Sequence, residues 1–115
     1  MLSLPPSVKI FVARAPVDMR KSFDGLSCIV CDIIQQDPCS GHLFLFVNKR
    51  RNRAKIIWWE ESGYWLLYKR LERGQFPLFD QAHGDAESFT CTSTDLMMIL
   101  DGIDLRRARR REKLR

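Results

Sequence analysis

Three groups of cationic side chains crowd this chain: Lys49, Arg50, Arg51, Arg53 and Lys55; then Lys69, Arg70 and Arg73; then Arg106, Arg107, Arg109, Arg110 and Arg111. Lysine and arginine at such density neutralise phosphates and release their counterions, so the groups predict a nucleic-acid contact whose affinity falls with salt. Aromatic residues interleave with them. The stretch FVNKRRNRAKIIWW, residues 46–59, ends on Trp58 and Trp59. If Phe44, Phe46 and one tryptophan were exposed together, they would form a stacking platform for single-stranded bases. If helices cover those rings they are core, and this is the expected outcome because large bare aromatic faces are rare. KRRN therefore reads first as a hairpin turn and second as a phosphate contact, and IIWW mainly as core.

Other chemistries find weaker support. A two-metal nuclease site needs several converging carboxylates, and most acids here have simpler roles: Asp18 and Asp95 at helix starts, Glu60 and Glu61 beside a turn, Glu72 among cations. Asp101 and Asp104 bracket a helix end, but no spacing demands a metal. Cys28-x-x-Cys31 and Cys39-x-x-His42 formally supply four zinc ligands. CIVC, however, lacks a turn and falls in a predicted helix, so small buried hydrophobes are the expected identity of these thiols. His42 and His83 are the two imidazoles, and His42 reads as a polar strand entry. No catalytic residue, metal or cofactor is assigned.

The net charge of +5 is unevenly distributed. Residues 106–115 carry seven cations and one anion, leaving residues 1–105 with twelve Lys and Arg against thirteen Asp and Glu. The expected organisation is one domain over residues 1–105 and a basic tail over 106–115, either docked on a partner or frayed. No run approaches the roughly 18 apolar residues of a membrane span, and the N-terminus lacks the pattern of a leader, so a cytoplasmic protein with reduced cysteines is expected.

The elements that must position the cations follow from periodicity. VKIFVAR, after Pro5-Pro6, reads as a strand. Asp18 is placed to cap a helix whose Met19, Phe23, Leu26, Val30 and Ile33 share a face, and Gly25 within it predicts the close approach of another backbone. HLFLFVN, RAKIIWWEE and YWLLYKRLE, broken by KRRN and SG, read as an antiparallel meander. In the first run both faces carry apolar bulk, the mark of a central strand. QFPLFDQAHGDAE reads as a loop, SFTC as a short last strand, and Thr92 as the cap of a final helix closed by Gly102, with Ile103 packing back near Met98. The fold class is α+β: an antiparallel meander of four to five strands packed with two helices. In such a meander the KRRN turn and the far end of the third run lie together, which would merge the first two basic groups.

Three blocks, DMRKSFDGL (18–26), SGHLFLFVNKRRNRAKIIWWEESGYWLLYKRLERGQF (40–76) and LDGIDLRRARR (100–110), in this order closely resemble the insertion-sequence-66 family of transposition accessory proteins, also called TnpB or the second open reading frame product. The resemblance covers nearly the whole chain and departs from the pattern at FPLFDQAHGDAESF and at Cys28, Cys31 and Cys39. It implies a protein encoded beside the transposase of a bacterial mobile element and needed for efficient transposition, and the residue reading above makes it a noncatalytic one. The expected partners are transposon DNA, the transposase and a second copy of the chain. An alternative is an interaction module that binds transposase or itself without touching DNA. Replacing Arg50, Arg51 and Arg53 by alanine is expected to weaken DNA binding without unfolding the domain.

Overall fold

The computed structural model describes residues 5–77 and 86–102. Five strands form one mixed sheet in the order β4-β3-β2-β1-β5: β1 Ile10–Ala13, β2 Leu43–Val47, β3 Arg53–Glu60, β4 Gly63–Arg70 and β5 Ser88–Cys91. The meander is present, with β2, β3 and β4 joined antiparallel by short turns. The first strand departs from it. β1 lies parallel to β2, with Ile10 opposite Leu43, and a parallel neighbour requires a crossover. Helix α1, Phe23–Ile29, occupies that crossover and continues as a π-helical turn, Val30–Ile34. β5 adds antiparallel to the other side of β1, and helix α2, Ser93–Leu100, follows it.

β2 is buried along its whole length because helices cover both faces of the sheet. Leu43, Leu45 and Val47 join Ile10, Val12, Ala54, Ile56 and Trp58 beneath Leu96 and Ile99 of α2. Phe44 and Phe46 point the other way, into a second cluster with Phe11 and Ile57 beneath Leu26, Val30 and Ile34. Each fully buried phenylalanine contributes about 1.5–3 kcal/mol of transfer free energy. Phe44 and Phe46 are thus core, and no stacking platform exists on that face.

The first helix differs in three respects from its sequence pattern. It starts at Phe23 rather than near Asp18, whose carboxylate instead accepts from the Arg20 backbone N–H at 2.9 Å. In the π-helical turn the Gln35 N–H reaches back five residues to the Val30 carbonyl. That wider turn rotates Ile34 into the core and leaves Ile33 48% exposed, where a regular period would place Ile33 inside. At Gly25 the close neighbour is not another backbone. A Cβ there would stand 3.1 Å from the Cβ of Lys21, whose aliphatic stem lies across the position.

α2 follows its pattern. Thr92 Oγ1 accepts from the Asp95 N–H at 3.0 Å, and Gly102, at φ +77°, donates to the Ile99 carbonyl. Ile103 lies outside the described residues. Phe76, read as part of a loop, is a core residue with no exposure, packed in the α2-side cluster.

Candidate nucleic-acid interface

The β2–β3 turn is built around Asn48. Its side-chain oxygen accepts from the backbone N–H groups of Asn52 and Arg53, each at 3.0 Å, while its amide donates to Asn52 Oδ1 at 2.8 Å. One side chain thus satisfies two backbone donors and a side-chain acceptor, which holds the turn closed. Arg51 takes the left-handed conformation at φ +58°, a cost of roughly 1–2 kcal/mol for a residue with a Cβ. Compensation comes from the segment after β4. The Arg51 guanidinium donates to Gln75 Oε1 at 3.2 Å and to the Phe76 carbonyl at 3.4 Å, and the Phe76 N–H donates to the Arg51 carbonyl. Gln75 Nε2 donates to the Arg50 carbonyl at 3.0 Å. Since Phe76 is sunk in the core, the turn is anchored to the body of the protein.

On this rigid turn Lys49 and Arg50 are exposed, and neither has an acidic partner among the described residues. Strand register brings the second basic group alongside. Arg53 stands opposite Arg70, and Ala54 opposite Lys69. Like charges directly opposed repel, so each needs compensation. Arg70 pairs with Glu72 at 2.8 Å, whereas Arg53 donates to the Tyr68 hydroxyl at 2.9 Å and has no acidic partner among the described residues. Lys69 projects to the other face, 3.7 Å from Asp101, and Arg73 is exposed just beyond. Lys49, Arg50, Arg53, Lys69, Arg70 and Arg73 therefore share one end of the sheet. Arg106, Arg107, Arg109, Arg110 and Arg111 lie outside the described residues.

Lys55 is a correction to the sequence reading. Alternation along β3 turns it toward the α1 face, where it is 6% exposed. Its ammonium donates to the carbonyls of Met19 and Lys21 at 2.7 and 2.8 Å and lies 4.7 Å from the centre of the Tyr68 ring. A buried cation with two carbonyl acceptors and a π face is satisfied without a phosphate. What Lys55 does is pin the Asp18–Lys21 segment against the sheet.

That segment brings in a cation the sequence pattern missed. Arg20 lines an open depression of about 560 Å³ together with Lys49, Arg50 and Arg53, and Met19 and Tyr68 line it too. The Arg20 guanidinium is bonded to the Asp18 carboxylate at 2.7 Å. That hydrogen bond, with the one from the Arg20 backbone, holds the Asp18 carboxyl down at about 2. The signal was legible only as the polar run DMRK, since its neighbours across the depression are some thirty residues away in sequence.

The thiols are also placed differently from expectation. Cys28, Cys31 and Cys39 are exposed rather than buried. Among the described residues no three His, Cys, Asp or Glu side chains gather as a metal site. His42 is a strand entry as expected: its Nδ1 accepts from the Lys9 N–H at 2.9 Å.

Comparison with known proteins now decides the family. The sequence pattern of the family described as IS66 Orf2 like protein matches residues 8–110, nearly the full chain. The chain belongs to that family. Two relatives from Sinorhizobium fredii (strain NBRC 101917 / NGR234) share the same extent. The uncharacterized protein y4hO is 33% identical over 106 residues, covering 92% of this chain and 90% of its own. The uncharacterized protein y4jC is 34% identical over 115 residues, covering 96% and 92%. No solved structure matches. Membership of the IS66 Orf2-like family associates the chain with transposition. The match includes the whole basic end of the sheet and runs on through Arg106, Arg107, Arg109 and Arg110. No helix among the described residues is long and apolar enough to cross a membrane.

Proposed function

We propose that this protein is a noncatalytic accessory of transposition that holds the DNA of its element along the basic end of its sheet and so helps assemble the transposase complex. The observation that carries the reading is the register of β3 and β4, which sets Arg53 against Arg70 beside a turn bearing Lys49 and Arg50 on a clamped backbone. Cations held together at this cost in mutual repulsion suit a polyanion, whose phosphates relieve the repulsion on binding. Lys69 and Arg73 extend the contact, and the arginines of residues 106–111 add to it. Lys55 and Arg51 belong to the scaffold.

The test is a fluorescence-anisotropy titration against a labelled terminal inverted repeat and a scrambled duplex over a range of salt. The Lys49→Ala/Arg50→Ala/Arg53→Ala variant should bind more weakly and lower the salt slope by about one for each phosphate it no longer neutralises. Truncation of residues 106–115 should lower it further. An unchanged affinity and slope in the triple variant would overturn the reading and leave the chain as a protein-binding module.

A further inference from the structure

The sheet ends on one side at β4, an eight-residue strand from Gly63 to Arg70 whose outer edge carries no strand among the described residues. The opposite edge, β5, is only four residues long. Short strands, inward charges, bulges and prolines are the usual protections of an edge against other chains. Residues 63–68 of β4, GYWLLY, contain no charge and no proline. They instead present Trp65 at 56% exposure and Leu67 at 46%. The Trp65 ring is not loose. It stacks on the buried Trp58 at 6.1 Å with an 18° interplanar angle, while more than half of the residue stays exposed.

We propose that β4 pairs antiparallel with β4 of a second copy, about a two-fold axis through Leu66, to make one continuous sheet across the dimer. Residues opposed in an antiparallel pair share a face, so this register sets Trp65 against the partner's Leu67 and Leu67 against the partner's Trp65. Both apolar side chains of that face are covered by one symmetric contact. Sliding the register by two residues in either direction leaves Leu67 opposite glycine or Trp65 opposite lysine. On the other face Tyr64 meets the partner's Tyr68.

Charge selects the same direction. The approach to β4 is acidic, with Glu60 ending β3 and Glu61 in the turn, and the far end of β4 is cationic, Lys69 and Arg70. Antiparallel pairing lays each acidic turn beside the other copy's cationic end, whereas parallel pairing would set cations on cations. The occupant is a second copy because the edge is complementary to itself in both shape and charge, the condition for a closed isologous dimer.

Sedimentation velocity of the full chain without DNA, at rising concentration, tests this. A monomer–dimer equilibrium is expected. Leu67→Lys puts an ammonium against the partner's Trp65 and should weaken the dimer at least tenfold, with an unchanged circular dichroism spectrum and, at concentrations where the wild type is monomeric, an unchanged melting curve. Glu61→Lys should weaken it more at low salt than at high, and the Glu61→Lys/Arg70→Glu double variant should recover the loss. A wild type that stays monomeric at every concentration, or a dimer indifferent to folded Leu67→Lys, would overturn the proposal. DNA binding by a monomer leaves the proposed function standing while removing this interface. A dimer that ignores DNA does the reverse.

Discussion

β2 and β4 are written in nearly the same alphabet. LFLFV and GYWLLY are both aromatic and aliphatic runs of strand-forming residues, yet β2 is buried at all five positions and β4 leaves Trp65, Leu67 and Tyr68 in solvent. Their place in the sheet makes the difference. β2 has a strand on each side and a helix over each face, while β4 has one strand neighbour and meets α2 only at its last turn, where Lys69 pairs with Asp101. A hydrophobic strand is thus core or interface according to what closes around it, and composition alone does not distinguish the two.

Mutations should divide along that line. The largest effect is expected in β2: Phe46→Ala removes a ring with no exposure and should cost about 3–5 kcal/mol in urea unfolding. The matching change in β4, Leu67→Ala, should stay within about 1 kcal/mol for the monomer. A comparable loss at both sites would erase the contrast between them. Next comes Lys55→Met, which keeps the stem but strips a donor from the Met19 and Lys21 carbonyls, and should cost about 1–3 kcal/mol while leaving the salt slope for DNA unchanged. A slope that falls in a variant folded at the assay temperature would return Lys55 to the contact surface. Asn48→Ala, which unfastens the turn from Asn52 and Arg53, should cost about 1–2 kcal/mol by thermal melting and weaken DNA binding without removing a charge.

Two smaller effects follow from pH. Burial, with some help from Asp95, pushes the Cys91 thiol up to about 12. Iodoacetamide at pH 8 should therefore alkylate the exposed Cys28, Cys31 and Cys39 and spare Cys91, as read by peptide mass spectrometry. Asp18 is lowered from 3.8 to about 2, so its contribution is present above that range and is lost as pH falls through it. Asp18→Asn should remove this small acid-dependent component from the stability profile between about pH 4 and 2.

Much of the α+β plan is legible in the sequence. KRRN is a turn, the SG break falls one residue late because the turn is Glu61–Ser62 and Gly63 opens β4, Thr92 caps a helix, and Arg53 of the first basic group stands opposite Arg70 of the second. The misreadings share a cause, because each depends on something distant in sequence or on an irregular turn. A regular helical period puts Ile33 inside because it cannot anticipate a π turn. Phe76 does lie in a loop, as read, but its burial goes unseen because its anchor, the Arg51 carbonyl, lies in a different turn. Lys55 reads as a surface cation because its acceptors are the backbone of residues 19 and 21, whereas its alternation with Ile57 already points inward.

Local rules alone determined the strand runs, the helix cap, the turn positions and the amount of positive charge, since each depends on neighbours a few residues away. Tertiary structure decided which cations remain free. Lys55 and Arg51 are consumed by carbonyls that only the fold brings near, and Arg53 keeps its charge because its cross-strand neighbours are a tyrosine hydroxyl and another arginine. The energy of a charge is set by what surrounds it within a few ångströms, and for these residues those surroundings come from other elements, 15 to 36 positions away in sequence.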